Sequence, residues 1–143
     1  MLKLNNRNVI KGQMNERGLK FNKALGQNFL IDDSILDKIV EASEIDADTN
    51  VLEIGPGAGA LTCRLAAAAK KVAAVEIDTG LLPLLGENLS GFDNVNIIHG
   101  DIMDLSLKEL FEKEFESGPV KVVANLPYYH ANCDEAAGGK SGV

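Results

Sequence analysis

A chain of 143 residues, 45% hydrophobic and 24% charged with no Trp, has room for one domain with a sizeable core. No apolar run approaches the ~20 residues of a membrane span, and no uninterrupted apolar stretch opens the chain as a secretory signal does. Two cysteines, Cys63 and Cys133, are too few for a disulfide scaffold and are not spaced as a metal site, which points to a reducing cytoplasm and to no metal.

The net charge of −7 is unevenly spread. Lys3, Arg7, Lys11, Arg17, Lys20 and Lys23 stand near the start against Glu16 alone. Residues 1–22 therefore read as a flexible basic arm on an acidic body, a layout compatible with a nucleic-acid partner held through the arm. Residues 24–30 read as an ordered loop, and Asp32 or Asp33 then caps a helix with Ile35, Leu36, Ile39 and Val40 on its apolar face. Strand-like segments follow at 51–54, 72–76, 95–98 and 120–124, separated by helical stretches at 60–69, 81–89 and 105–115. Strands alternating with helices of this length predict an α/β fold with a mostly parallel sheet. Right-handed crossovers then bring the C-terminal strand ends to one edge, where such sheets bind ligands. Residues 130–143 keep neither periodicity and read as a disordered tail. Gly139-Lys140-Ser141 imitates a phosphate-binding loop, but the first glycine of that motif would fall at Asp134.

The strand ends carry the candidate chemistry. Gly55-Pro56-Gly57-Ala58-Gly59 follows the first strand and opens a helix, so the backbone can turn sharply beside a ligand and offer it free N–H groups. Gly55, Gly57 and Ala60 also satisfy the dinucleotide spacing, so this loop alone does not separate nicotinamide cofactors from S-adenosylmethionine. Glu76 ends the second strand, placed to accept both hydroxyls of a ribose, with Ile77 beside it; Asp78 reads as a helix cap. Asp101 ends the third strand, where it can accept from an adenine amino group while Ile102 packs on the ring. His99 reads as structural. Asn125-Leu126-Pro127-Tyr128 leaves the fourth strand. The Asn125 amide oxygen and the Leu126 carbonyl can accept from an exocyclic amine, Pro127 stiffens the turn, and Tyr128 offers a stacking ring. The ordinary alternative is a tight turn after a buried strand.

Taken together these motifs resemble the ribosomal RNA adenine dimethyltransferases, the small-subunit enzymes that dimethylate two adjacent adenines of 16S rRNA. Lys23-Ala24-Leu25-Gly26-Gln27-Asn28-Phe29-Leu30 is similar to that family's N-terminal cofactor motif. Val51-Leu52-Glu53-Ile54-Gly55-Pro56-Gly57-Ala58-Gly59 is similar to its glycine loop, Glu76 to its ribose acid, Asp101 to its adenine acid, and Asn125 to Tyr129 to its catalytic loop. The resemblance covers residues 23–129. It implies a Rossmann-like S-adenosylmethionine-dependent fold, with Asn28, Leu30, Gly55, Gly57, Glu76, Ile77, Asp101, Ile102 and Asn125 around the cofactor. It also implies a flipped adenine held by Asn125, Leu126, Pro127 and Tyr128, with 16S rRNA in the small ribosomal subunit as partner. Family members continue after the second Tyr with further strands and a helical domain that helps engage RNA, whereas residues 130–143 depart from the pattern. The expectation is thus an incomplete sheet with the fourth strand as an edge open to self-association, weak cofactor binding and little methylation by this chain alone. A non-catalytic nucleotide-binding or ribosome-assembly module is the alternative, and an NAD-dependent oxidoreductase a further one.

Overall fold

The computed structural model describes residues 33–124. It begins with helix α1 (Asp33–Ala42), followed by strand β1 (Asn50–Ile54), helix α2 (Ala60–Ala68) and strand β2 (Lys71–Glu76). A short 3-10 turn (Thr79–Leu81) leads into helix α3 (Leu82–Asn88) and strand β3 (Val95–His99). A second 3-10 turn (Ile102–Asp104), helix α4 (Leu107–Glu114) and strand β4 (Val120–Ala124) complete the described chain.

All strand pairs are parallel and the sheet order is β3-β2-β1-β4. The chain steps outward from β1 to β3, then returns across the sheet to place β4 on the other side of β1. That reversal is a topological switch point, the place where open α/β sheets hold ligands beyond the strand C-termini. It also explains why the helices divide between the two faces. Right-handed crossovers running outward put α2 on one face, and the crossover running back puts α4 on the other.

The register shows the division residue by residue. Leu36 of α1 and Leu61, Leu65 and Ala66 of α2 close over Val51, Val72 and Val123 on one side of the sheet. Leu110 and Phe115, from α4 and its end, cover Leu52, Ala73 and Val75 on the other. Strands buried on both faces have no polar side to show, which is why 51–54 and 72–76 read as near-continuous apolar runs. Side-chain amides fasten the layers. Asn94 donates to the Ala66 and Ala69 carbonyls at 2.9 and 3.2 Å, and Asn50 donates to the Ser117 carbonyl at 2.8 Å.

Some sequence expectations shift. Ile35, assigned to the apolar face of α1, is 44% exposed, and Leu36 is the residue of that pair that enters the core. The third helix is preceded by the 3-10 turn at Thr79–Leu81, because the Asp78 carboxylate accepts from the Gly80 N–H at 2.8 Å and sets a tight turn first. The fourth helix begins at Leu107 rather than at Leu105, since Ser106 accepts from the Glu109 N–H and fixes the start there. The cap assigned to Asp32 or Asp33 lies outside what the described side chains show.

Candidate functional site

Three loops leave the C-terminal ends of β1, β2 and β3, and hydrogen bonds fix them to one another. The turn after β1 passes through Gly55, Gly57 and Gly59 at φ 73°, 61° and 97°, left-handed values that only glycine adopts without cost. Gly55 N–H donates to the Val75 carbonyl at 2.9 Å and Gly59 N–H to the Pro56 carbonyl at 3.0 Å. At Gly59 a Cβ would also come within 3.1 Å of the Leu85 side chain, so the start of α2 lies tight against α3. Asn88 of α3 adds a clasp, donating to the Ala58 carbonyl at 3.0 Å.

Glu76 links the first loop to the second. It is buried, yet both carboxylate oxygens are engaged: Oε1 accepts from the Gly57 N–H at 3.1 Å and Oε2 from the Asp78 N–H at 3.0 Å. Burial raises its pKa from the ordinary carboxylate value, and these two backbone donors work against that rise. A carboxylate offers about four lone-pair sites, so each oxygen keeps acceptor capacity after these bonds. Ile77 follows, 42% exposed at the strand end.

The third loop is joined to the second twice. Gly100 N–H donates to the Glu76 carbonyl at 3.0 Å. His99 Nε2 lies 3.2 Å from the Ile77 carbonyl, and because a carbonyl only accepts, Nε2 carries the proton in this contact. Asp101 accepts from the Met103 N–H at 2.9 Å and so caps the turn at Ile102–Asp104. Ile102 is half-buried and packs on the cluster formed by Leu52, Ala73, Val75, Leu110 and Phe115.

Of the residues singled out in the sequence, Gly55, Gly57, Glu76, Ile77, Asp101 and Ile102 therefore stand along one sheet edge, with Gly57 and Glu76 in direct contact. Asn28, Leu30, Asn125, Leu126, Pro127 and Tyr128 lie outside the described residues. The strand leading to the last four is in register, since Ala124 pairs with Ile54, the residue before Gly55. Sequence reasoning passed over Glu53, Thr62, Asn88 and the bond from His99. Glu53 had a visible signal, an acid inside the apolar run Val51-Leu52-Glu53-Ile54. Asn88 had none, being one more polar residue near a helix end. Among the described residues, no group of three His, Cys, Asp or Glu side chains is arranged to hold a metal ion.

The likeness to known proteins agrees with this geometry. Residues 18–132 match the family model described as ribosomal RNA adenine dimethylase. A relative from Geobacillus thermodenitrificans, named ribosomal RNA small subunit methyltransferase A, is 57% identical over 113 residues, covering 78% of this chain and 39% of the relative. A protein of the same name from Clostridioides difficile is 44% identical over 129 residues, covering 90% of this chain and 45% of the relative. The chain thus spans less than half the length of these relatives. Among solved structures, the 23S rRNA methyltransferase ErmE superposes with a TM-score of 0.64 at 32% identity, over 80% of this chain and 43% of that one. A dimethyladenosine transferase from Plasmodium falciparum superposes at 0.57 with 31% identity, over 71% and 34% of the respective chains. The fold is therefore the Rossmann-like α/β fold of these methyltransferases. With the matched span running through every strand of the sheet and every loop of the site, the chain belongs to the ribosomal RNA adenine dimethylase family.

Proposed function

We propose that this chain carries the S-adenosylmethionine-binding portion of an rRNA adenine N6,N6-dimethyltransferase, acting on adjacent adenines near the 3′ end of 16S rRNA in the small ribosomal subunit. The observation that carries the reading is the Gly57–Glu76 contact at the switch point. It sets a Cβ-free turn and a buried carboxylate side by side, as a nucleoside with a charged tail requires. The names of the relatives, which refer to the small subunit, support the choice of rRNA.

In this reading Gly55 and Gly57 let the backbone approach the amino-acid tail, and the spare lone pairs of Glu76 accept the ribose hydroxyls. Asp101 accepts from the adenine amine through acceptor capacity left over from its cap, with Ile77 and Ile102 flanking the base. Asn28 and Leu30 contact the cofactor or frame its pocket. Asn125 and the Leu126 carbonyl hold the exocyclic amine of the target adenine, Pro127 fixes their turn, and Tyr128 stacks on the flipped base. The cofactor supplies an activated methyl on a sulfonium. The residues contribute chiefly by aligning the amine lone pair with it, so most of the advantage comes from positioning. The methylated amine then loses a proton to water, so no strong base is required of the chain. Residues 23–129 form the cofactor domain, residues 1–22 a basic arm toward RNA, and 130–143 a tail outside it. Among the described residues no helix is long and apolar enough to cross a membrane, and the proposed site of action is the cytoplasm.

Calorimetric titration of the 143-residue chain with S-adenosylhomocysteine and with NAD tests the cofactor assignment. Binding of the first and not the second is expected, and the reverse would overturn it. Incubation with undermethylated small subunits tests the reaction. We expect little dimethyladenosine from this chain alone, as it spans under half of its relatives, and efficient product would show that the cofactor portion suffices.

A further inference from the structure

Beneath the glycine turn, β1 carries a second buried acid for which the site reading has no use. Glu53 is fully enclosed. Its Oε1 accepts from the Thr62 hydroxyl on α2, while its Oε2 has no hydrogen-bond partner among the described residues. An ionised carboxylate so placed would be a buried charge with no compensating cation among the described residues, one of the more costly arrangements a core can hold. The charged groups nearby do not relieve it. Among the described residues, Glu76 on the neighbouring strand is the charge that acts on Glu53, and it opposes ionisation. On α2, the Cys63 thiol is itself held protonated, and Arg64 is paired with Asp37 of α1. Lys121 on β4 lies opposite Val51 in the register and acts on Asp46. From α3 the turn meets Leu85 and Leu89 and the uncharged amide of Asn88.

We propose that Glu53 is a positioning residue that works as the neutral acid, joining β1 to the first turn of α2 so that the glycine turn between them keeps its cofactor-binding shape. The local connectivity makes the case. Glu53 and Thr62 bracket the turn from its two sides, and the turn in turn delivers the Gly57 N–H to Glu76. With Glu53 neutral, Glu76 can hold the negative charge of this corner and keep both its backbone donors. Loss of the Glu53 proton sets two buried carboxylates against each other across β1 and β2, loosening the turn and weakening cofactor binding. Burial, more than the repulsion from Glu76, raises the Glu53 pKa to about 8, and the Thr62 bond restrains that rise.

The cofactor arm of this proposal rests on the function proposed above, so the test has one arm that needs no cofactor. In the ligand-free full chain, the unfolding midpoint is followed between pH 5 and 9 for the wild type, Glu53→Gln and Thr62→Val. Glutamine imitates the neutral acid. The wild type should lose stability progressively as the pH rises toward about 8, and E53Q should lack that component. T62V removes a donor that favours ionisation and should move the end of the decline to higher pH. Parallel profiles for wild type and E53Q overturn the proposal. If E53Q does not fold, an unmoved decline in T62V overturns it, and a displaced one supports it. In the second arm, S-adenosylhomocysteine affinity is compared at pH 7 and pH 9. The wild type should weaken about tenfold more than E53Q, whose own change accounts for titration of the ligand. An E53Q variant that binds tenfold more weakly at pH 7 would show that the carboxylate itself is required, against the proposal. If neither protein binds the ligand, it is the cofactor assignment that fails, and the unfolding profiles still decide the role of Glu53.

Discussion

Glu76 answers to the backbone before it answers to any ligand. Its two oxygens hold the Gly57 and Asp78 N–H groups, so Glu76→Ala should do more than empty a ribose subsite. It leaves buried backbone donors unpaired, at a cost of about 1–3 kcal/mol, readable by urea denaturation without cofactor. The same variant should lose S-adenosylhomocysteine binding in calorimetry. A variant that kept full stability would show that these bonds contribute nothing in solution. Cys63 tests the same corner from the opposite side. Burial, with Glu53 adding to it, pushes its thiol up to about 11, so the reactive thiolate is scarce at neutral pH. In a Cys133→Ser background, alkylation by iodoacetamide at pH 8 should be about two hundredfold slower in the folded protein than in urea, given a free thiol at about 8.5. Comparable rates would mean that the α2 face opens readily. Glu53 gives these residue-level effects their pH signature. A group whose folded pKa lies above its unfolded value contributes stability that is fully present below about 4.5 and is lost by about 8. Within that window the limiting slope is about 1.4 kcal/mol per pH unit.

At the scale of the element, the strands were the most legible part of the sequence. Each of the four lies within a residue of its expected span, because parallel strands buried on both faces leave continuous apolar runs bounded by polar or glycine-rich turns. Helix boundaries were less legible. Leu105 belongs to the apolar pattern of α4, yet the helix starts at Leu107 because Ser106 captures the Glu109 N–H; apolar spacing reports the buried face and says little about where backbone hydrogen bonding begins. The candidate site divides in the same way. Glycines and acids at strand ends could be read directly, as Gly55, Gly57, Glu76 and Asp101 were. The clasps from Asn88 and His99 depend on distances that no local spacing encodes. The entry to β4 offers an element-level prediction. Gly118 sits at φ 101°, and a Cβ there would meet the Asp48 carbonyl at 2.9 Å. Gly118→Ala combines a left-handed alanine with a backbone collision, so a loss of about 2 kcal/mol or more is expected. Gly91→Ala is the control, since a Cβ there meets nothing within 4 Å. Equal stability of the two variants would mean that the β4 entry yields freely.

At the scale of the molecule, two apolar layers of the described residues flank one sheet and share no helix. Leu65 is fully buried on the α2 face, and Leu110 belongs to the α4 face. Leu65→Ala should cost about 2–5 kcal/mol, and Leu110→Ala a smaller amount within or below that range. The pair should be additive to about 0.5 kcal/mol, as expected of sites with no shared partner. A larger coupling energy, measured by a double-mutant cycle in urea, would mean that the sheet transmits strain from one face to the other. The strand order has a further consequence, and it concerns time. β1 carries the glycine turn at its end, and its two neighbours are β2, the next strand in the chain, and β4, the last described one. Asn50 reaches across 67 positions to Ser117, so one flank of the turn must wait for the chain to come back. Closing so long a loop is entropically slow compared with the local β1–α2–β2 unit. The β4 flank of the corner that would grip a cofactor is therefore among the latest parts to be secured as the chain emerges, and a ligand that also needs that flank should slow unfolding far more than it speeds folding.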